Sequence, residues 1–135
     1  MKKILAINKY HFKNLNALKN YKNIEIIFIN NIYDILKYNL NEIDCILSPS
    51  EPIIINEKYN IKLIFGPHFS VFPDFKINSI KSYNSIYVQP SEWAKNVWEN
   101  FNSCKNLNLE VLPFGVDTEK YKDEKKIINR DKIFI

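Results

Sequence analysis

A doubly wound α/β layer built on one parallel sheet of about six strands is the fold class this sequence predicts. Two observations carry it: six short runs that are apolar along nearly their whole length, and amphipathic or turn-rich stretches between them. A strand covered on one face alternates apolar and polar side chains. One covered on both faces is apolar throughout, the habit of strands in parallel sheets. A third observation is length: 135 residues suit a single core, since a chain of that size buries roughly two thirds of its unfolded surface.

The runs occur in the order Lys3–Ile7 (KILAI), Ile24–Ile29 (IEIIFI), Ile43–Leu47 (IDCIL), Ile61–Phe65 (IKLIF), Ser85–Val88 (SIYV) and Leu109–Leu112 (LEVL). Leu15, Leu18 and Tyr21 mark a helix face after the first run, and Ile32, Ile35, Leu36 and Leu40 mark another after the second. Alternation of strand and helix favours βαβ crossovers. The stretch 48–59, with Pro49 and Pro52, reads as a loop with at most one helical turn. The stretch 65–74 (FGPHFSVFPD) is a second irregular segment that follows a strand directly. In "QPSEWAKNVWENF", Ser91 is a good N-cap and Glu92 complements the positive end of the helix dipole. Trp93, Ala94, Val97, Trp98 and Phe101 follow at helical spacing, as a core-facing stripe. From Thr118 to Lys132 the residues are charged and aperiodic, as in a linker, and Lys132–Ile135 (KIFI) reads as the start of another buried strand.

The composition is 46% apolar and 25% charged, with a bias to Ile, Asn and Lys, and the net charge is +4. Residues 1–20 carry five Lys and no acid, residues 21–60 three Lys and six acids, so no long basic stripe exists. A nucleic-acid module clusters basic charge on one face with interleaved aromatics; the N-terminal Lys group reads instead as a solvated face. Cys45 and Cys104 lack metal-ligand spacing and the two His form no set with them, which argues against zinc. Reduced thiols and a cytoplasmic location are expected. The apolar run after Lys2 and Lys3 ends too early, at Asn8, for a signal peptide, and no stretch has the roughly 20 apolar residues of a membrane span.

Taken together, "YVQPSEWAKNVWENF" and "LEVLPFGVDTEKY" resemble the end of the N-terminal domain of GT-B glycosyltransferases, in particular the large retaining family that uses nucleotide sugars. The match covers residues 86–121: strand, Ser-capped helix bearing an aromatic, strand, then Pro-x-Gly-Val-Asp where two Rossmann-like domains cross over. Upstream the likeness is architectural. The resemblance implies a Rossmann-like, acceptor-side domain over residues 1–117, half of a GT-B architecture. Residues 118–135 would be the interdomain linker and the truncated start of a second domain. It implies no resident cofactor, because the nucleotide-sugar donor is held mostly by that second domain, and it implies a sugar-bearing or small-molecule acceptor as partner. Where the family carries a Gly-rich loop after the first strand, this sequence has Asn8, Lys9, Tyr10 and His11.

By that resemblance His68, in "GPHFS", is the candidate catalytic residue, its imidazole able to meet a sugar hydroxyl near working pH; the alternative is a loop His bonded to backbone. Lys9, His11, Gly66, Pro67 and His68 are the candidate acceptor-binding residues. Gly66 can take positive φ and Pro67 fixes the chain direction; both also suit plain turn chemistry, and Lys9 and His11 suit a solvated loop. Pro113, Gly115 and Asp117 mark the crossover, or an ordinary turn. No metal ligands, paired carboxylates or nucleophile are read. Trp93 and Trp98 read as core rather than as a sugar platform. A non-catalytic α/β interaction module derived from such a domain, self-associating or pairing with a separate donor-binding half, is the alternative function. A receiver-type domain would need an acidic cluster after the first strand, and none is present.

Overall fold

The computed structural model describes residues 1–7, 15, 17–67 and 85–113. Six strands form one sheet: β1 (Lys2–Ile7), β2 (Ile24–Ile29), β3 (Cys45–Ser48), β4 (Lys62–Phe65), β5 (Ser85–Gln89) and β6 (Leu109–Val111). Every pairing is parallel, and the order is β2-β1-β3-β4-β5-β6. The expected Rossmann-like α/β layer is what the chain forms. Each apolar run became a strand, β2 with the same bounds and the other five shifted by a residue or two at one end or both. Asp44 explains one displacement: the charge inside "IDCIL" lies just before β3, which is then buried at all four positions.

Register sorts the side chains into two cores. Ile7 and Ile29 pair, as do Phe65 and Tyr87 and then Tyr87 and Leu109, and all of them face the larger cluster with Leu5, Ile46, Leu63 and Trp98. Ala6 and Leu47 face the opposite cluster with Leu15. The Tyr87 ring meets Phe65 edge-on at 5.2 Å and Trp98 at 6.3 Å between centroids. Leu15 and Leu18, between β1 and β2, pack on the smaller cluster. Ile35, Ile53, Trp98 and Cys104, from connections that travel across the sheet in the other direction, pack on the larger one. Connections of opposite travel on opposite faces are what a constant crossover hand requires.

The β2–β3 connection is less helical than the sequence suggests. Between β2 and β3 there are two short 3₁₀ helices, Ile32–Lys37 and Leu40–Glu42, in place of one amphipathic α-helix. Their caps supply the reason. Asn31 and Asp34 form a reciprocal capping box. Asn39 then accepts from Asn41 N–H and starts a new turn, so the helix cannot run through. Ile35 is buried, whereas Leu36 is 80% exposed. Before β2, Leu15 is helical and the 3₁₀ helix Ala17–Asn20 follows it, and Tyr21 faces solvent.

The α-helix α1 (Glu92–Glu99) is capped by Ser91, whose Oγ accepts from Ala94 N–H at 3.2 Å. It stops two residues short of Phe101, where Asn100 donates to the Asn96 carbonyl. The five-residue stripe is therefore not uniform. Trp98 is buried at 6% exposure and Ala94 and Val97 half-buried, but Trp93 is 76% exposed and Phe101 also faces solvent. Trp93 corrects the expectation of a core side chain: it lies roughly 140° around the helix from Trp98 at 100° per residue. Truncating Trp98 to Ala should lower stability by about 3–5 kcal/mol through the cavity left beside Tyr87. Trp93→Ala should change it by less than about 0.5 kcal/mol; urea midpoints with unchanged m-values check the contrast.

Candidate functional site

Since all six strands are parallel, their carboxyl ends share one rim, and the strand order reverses there between β1 and β3. Ligands of open α/β sheets bind outside such a rim. Ile7, Ser48, Phe65, Gln89 and Val111 are the last strand residues along it.

Ser48 is buried, and its hydroxyl donates to the Glu51 carbonyl, which turns the chain back over the end of β3. The Ser48 carbonyl accepts from Gly66 N–H at 2.9 Å, carrying the β3–β4 ladder one step past Phe65. Gly66 takes φ 101°, a left-handed value at which a Cβ would be strained, and precedes Pro67 through a cis peptide bond. Gly66 is buried and Pro67 half-buried, so both predicted residues stand at the rim. His68, Lys9 and His11 lie outside the described residues, as do Gly115, Asp117 and the 118–135 segment. Pro113 is exposed just past β6, after Leu112 N–H donates to the Gln89 carbonyl at 2.8 Å.

Gln89 was not singled out by the sequence. It is only 3% exposed, yet its Nε2 has no hydrogen-bond partner, and an unmet buried amide costs about 1–3 kcal/mol. The signal was present in "SIYVQP": a polar residue in phase with Tyr87 at the end of a run otherwise buried on both faces.

The opposite, amino rim carries the charge. Asp44 accepts from Lys2 Nζ at 2.6 Å and from Lys3 N–H at 2.9 Å, and these two bonds, that to Lys2 foremost, hold its carboxyl below the ordinary carboxylate value. A shallow cleft of about 630 Å³ opens here, lined by Lys2, Asp44, Tyr59, Asn60 and Lys62 among others. Burial pushes the neighbouring Cys45 thiol up to about 11, so it stays protonated and unreactive at neutral pH. Among the described residues no group of three or more His, Cys, Asp or Glu is placed to hold a metal ion, and no helix is long and apolar enough to cross a membrane.

No family model matches the chain, and neither a curated protein nor a solved structure matches it.

Gly66→Ala should destabilise by about 1–3 kcal/mol because the new Cβ meets a positive φ, measured by urea unfolding. A depressed carboxylate adds stability that is present above its unfolded value, 3.8, and lost as pH falls through the lower folded one. The thermal midpoint should therefore drop below about pH 4, and Asp44→Asn should flatten part of that drop in a pH series.

Proposed function

We propose that this chain is the acceptor-side domain of a GT-B glycosyltransferase that moves a sugar from a nucleotide sugar to an acceptor. The observation that supports it most is the placement of the resembling stretch. "SIYVQ", "EWAKNVWE" and "LEV" are strand, Ser-capped helix and edge strand in succession. The Pro-x-Gly-Val-Asp run then begins where the chain leaves the carboxyl rim at Pro113. In this reading Gly66 and Pro67 shape the acceptor loop and His68 meets the reacting hydroxyl. Lys9 and His11, which follow β1 in the sequence, bind the acceptor in the same reading. Donor phosphates and ribose are held by a second domain, and closure of the two domains expels water from the reacting groups.

A non-catalytic interaction module is the second reading, favoured by the exposure of Leu112 and Pro113 at the sheet's edge. Concentration-dependent self-association in sedimentation velocity, abolished by Leu112→Asp, would favour it over the first.

The direct test is transfer from labelled nucleotide sugars to a panel of saccharide acceptors. The chain alone should give no turnover above background, and a donor-binding half supplied separately should restore it. Failure of every such half to yield transfer would sink the reading, and brisk transfer by the chain alone would refute the division of labour.

A further inference from the structure

We propose that the cleft at the amino rim of the sheet binds a phosphorylated small molecule, whose phosphoryl group is met by Lys2 and Lys62. The site lies at the end of the sheet opposite Gly66 and Pro67 and does not rest on the glycosyltransferase reading.

Asp44 builds the cleft. Its N–H donates to the Lys3 carbonyl at 3.0 Å and its carbonyl accepts from Lys62 N–H at 3.2 Å, so the residue before β3 joins the starts of β1 and β4. Register puts the two lysines on one face of the sheet. Ile4 pairs with Cys45 and Cys45 with Lys62, and Lys2 stands two residues before Ile4. Strand spacing and rise set their Cα atoms roughly 12 Å apart across the start of β3, a gap that two four-carbon stems can close on one anion. Asn60 has φ 45°, a left-handed value that Asn tolerates, and turns the chain from the 3₁₀ helix Glu57–Tyr59 into β4. That turn brings Tyr59 and Asn60 to the cleft wall.

Charge decides what the cleft takes. Its lining carries two ammonium groups against one carboxylate. The carboxylate is already answered, by Lys2 Nζ at 2.6 Å and Lys3 N–H at 2.9 Å, and Glu42 is turned away to Lys3 and Asn39. The Asp44 bond uses one of the three N–H groups of Lys2 and fixes where its ammonium stands. Lys62 is exposed, and its ammonium makes no ion pair among the described residues. A positive surplus is thus left over the cleft.

The anion that fits best is a phosphoryl group. A planar carboxylate is matched by the fork of an Arg, and none lines the cleft, whereas Lys acts as a point charge that suits a tetrahedral anion. A phosphoryl group has three acceptor oxygens, enough for both ammonium groups and for the Asn41 amide or the Tyr59 hydroxyl as well. The volume of about 630 Å³ is that of a small-molecule site, so inorganic phosphate would leave most of it open and an organic body completes the ligand.

The test titrates the ¹⁵N-labelled 135-residue chain, at constant ionic strength, with inorganic phosphate, glucose 6-phosphate, glucose and acetate. Expected are saturable shifts of the Asp44, Asn60 and Lys62 amides with both phosphates, at lower concentration for glucose 6-phosphate, and none with glucose or acetate. Lys62→Gln should weaken binding about fivefold without moving the thermal midpoint. Lys62→Arg should retain most of the affinity, and Lys105→Gln, outside the cleft, should retain all of it. The inference is overturned if neither phosphate gives saturable shifts at the cleft or if acetate shifts the same amides as strongly. It is also overturned if Lys105→Gln weakens binding as much as Lys62→Gln, since net charge alone would then account for it. Inorganic phosphate binding as well as glucose 6-phosphate would mark an adventitious ion only and refute the small-molecule site.

Discussion

The structure depends on a parallel sheet being covered on both faces. A βαβ crossover leaves its connection lying on the sheet, so each inner strand has no solvent side, and every position in it must be apolar or have its polar groups met. β3 obeys by being buried at all four positions, with Ser48 bonding back to its own loop. Asp44, one residue before, is as polar as a side chain can be, and it sits where Lys2 and the Lys3 amide can answer it. Set against that rule, the unmatched Gln89 amide is an exception among the described residues, and it lies on the rim where such sheets bind ligands.

The two rims also separate two duties. One end of the barrel-less layer gathers ion pairs: Lys2 with Asp44 and Lys3 with Glu42 tie the start of β1 to the segment before β3. Both pairs are largely solvent-exposed, so each adds little. The other end gathers strand termini, a glycine at positive φ and a capped helix start, groups that present backbone rather than charge. Stability is invested in the aromatic column of Phe65, Tyr87 and Trp98 below that rim, which fixes β4, β5 and α1 relative to one another.

The strands were legible because their signal is a run, and a run needs no phase: six apolar stretches became six strands. The helices were legible only in part: the helix after β5 and its Ser91 cap were readable, but which side chains of a stripe are buried is a claim about phase. Tyr21, Leu36 and Trp93 each sat at plausible spacing, and each is exposed. Local chemistry won in two of these segments. Asn39 opened a new turn before Leu36's helix could lengthen, and Asn100 closed α1 before Phe101. Of the candidate site, Gly66 and Pro67 were readable from turn chemistry after a strand, and the structure sets them at the rim. Gln89 was not, since its meaning lies in a missing bond, and bonds that are not made leave no mark in a sequence.

β2 ends the sheet, and among the described residues nothing pairs with its outer side. Six residues long, four of them Ile, with Glu25 its single charge and no Pro or Lys to blunt it, this strand is a ready template for further strands. During synthesis it emerges early, before β3 to β6 exist to build the layer that holds it flat against β1. Colloidal behaviour of the chain will thus be governed less by its net charge than by how quickly β1 and β2 are enclosed. A single Lys at Ile27 would act as a gatekeeper against cross-β growth at a cost confined to one half-buried position.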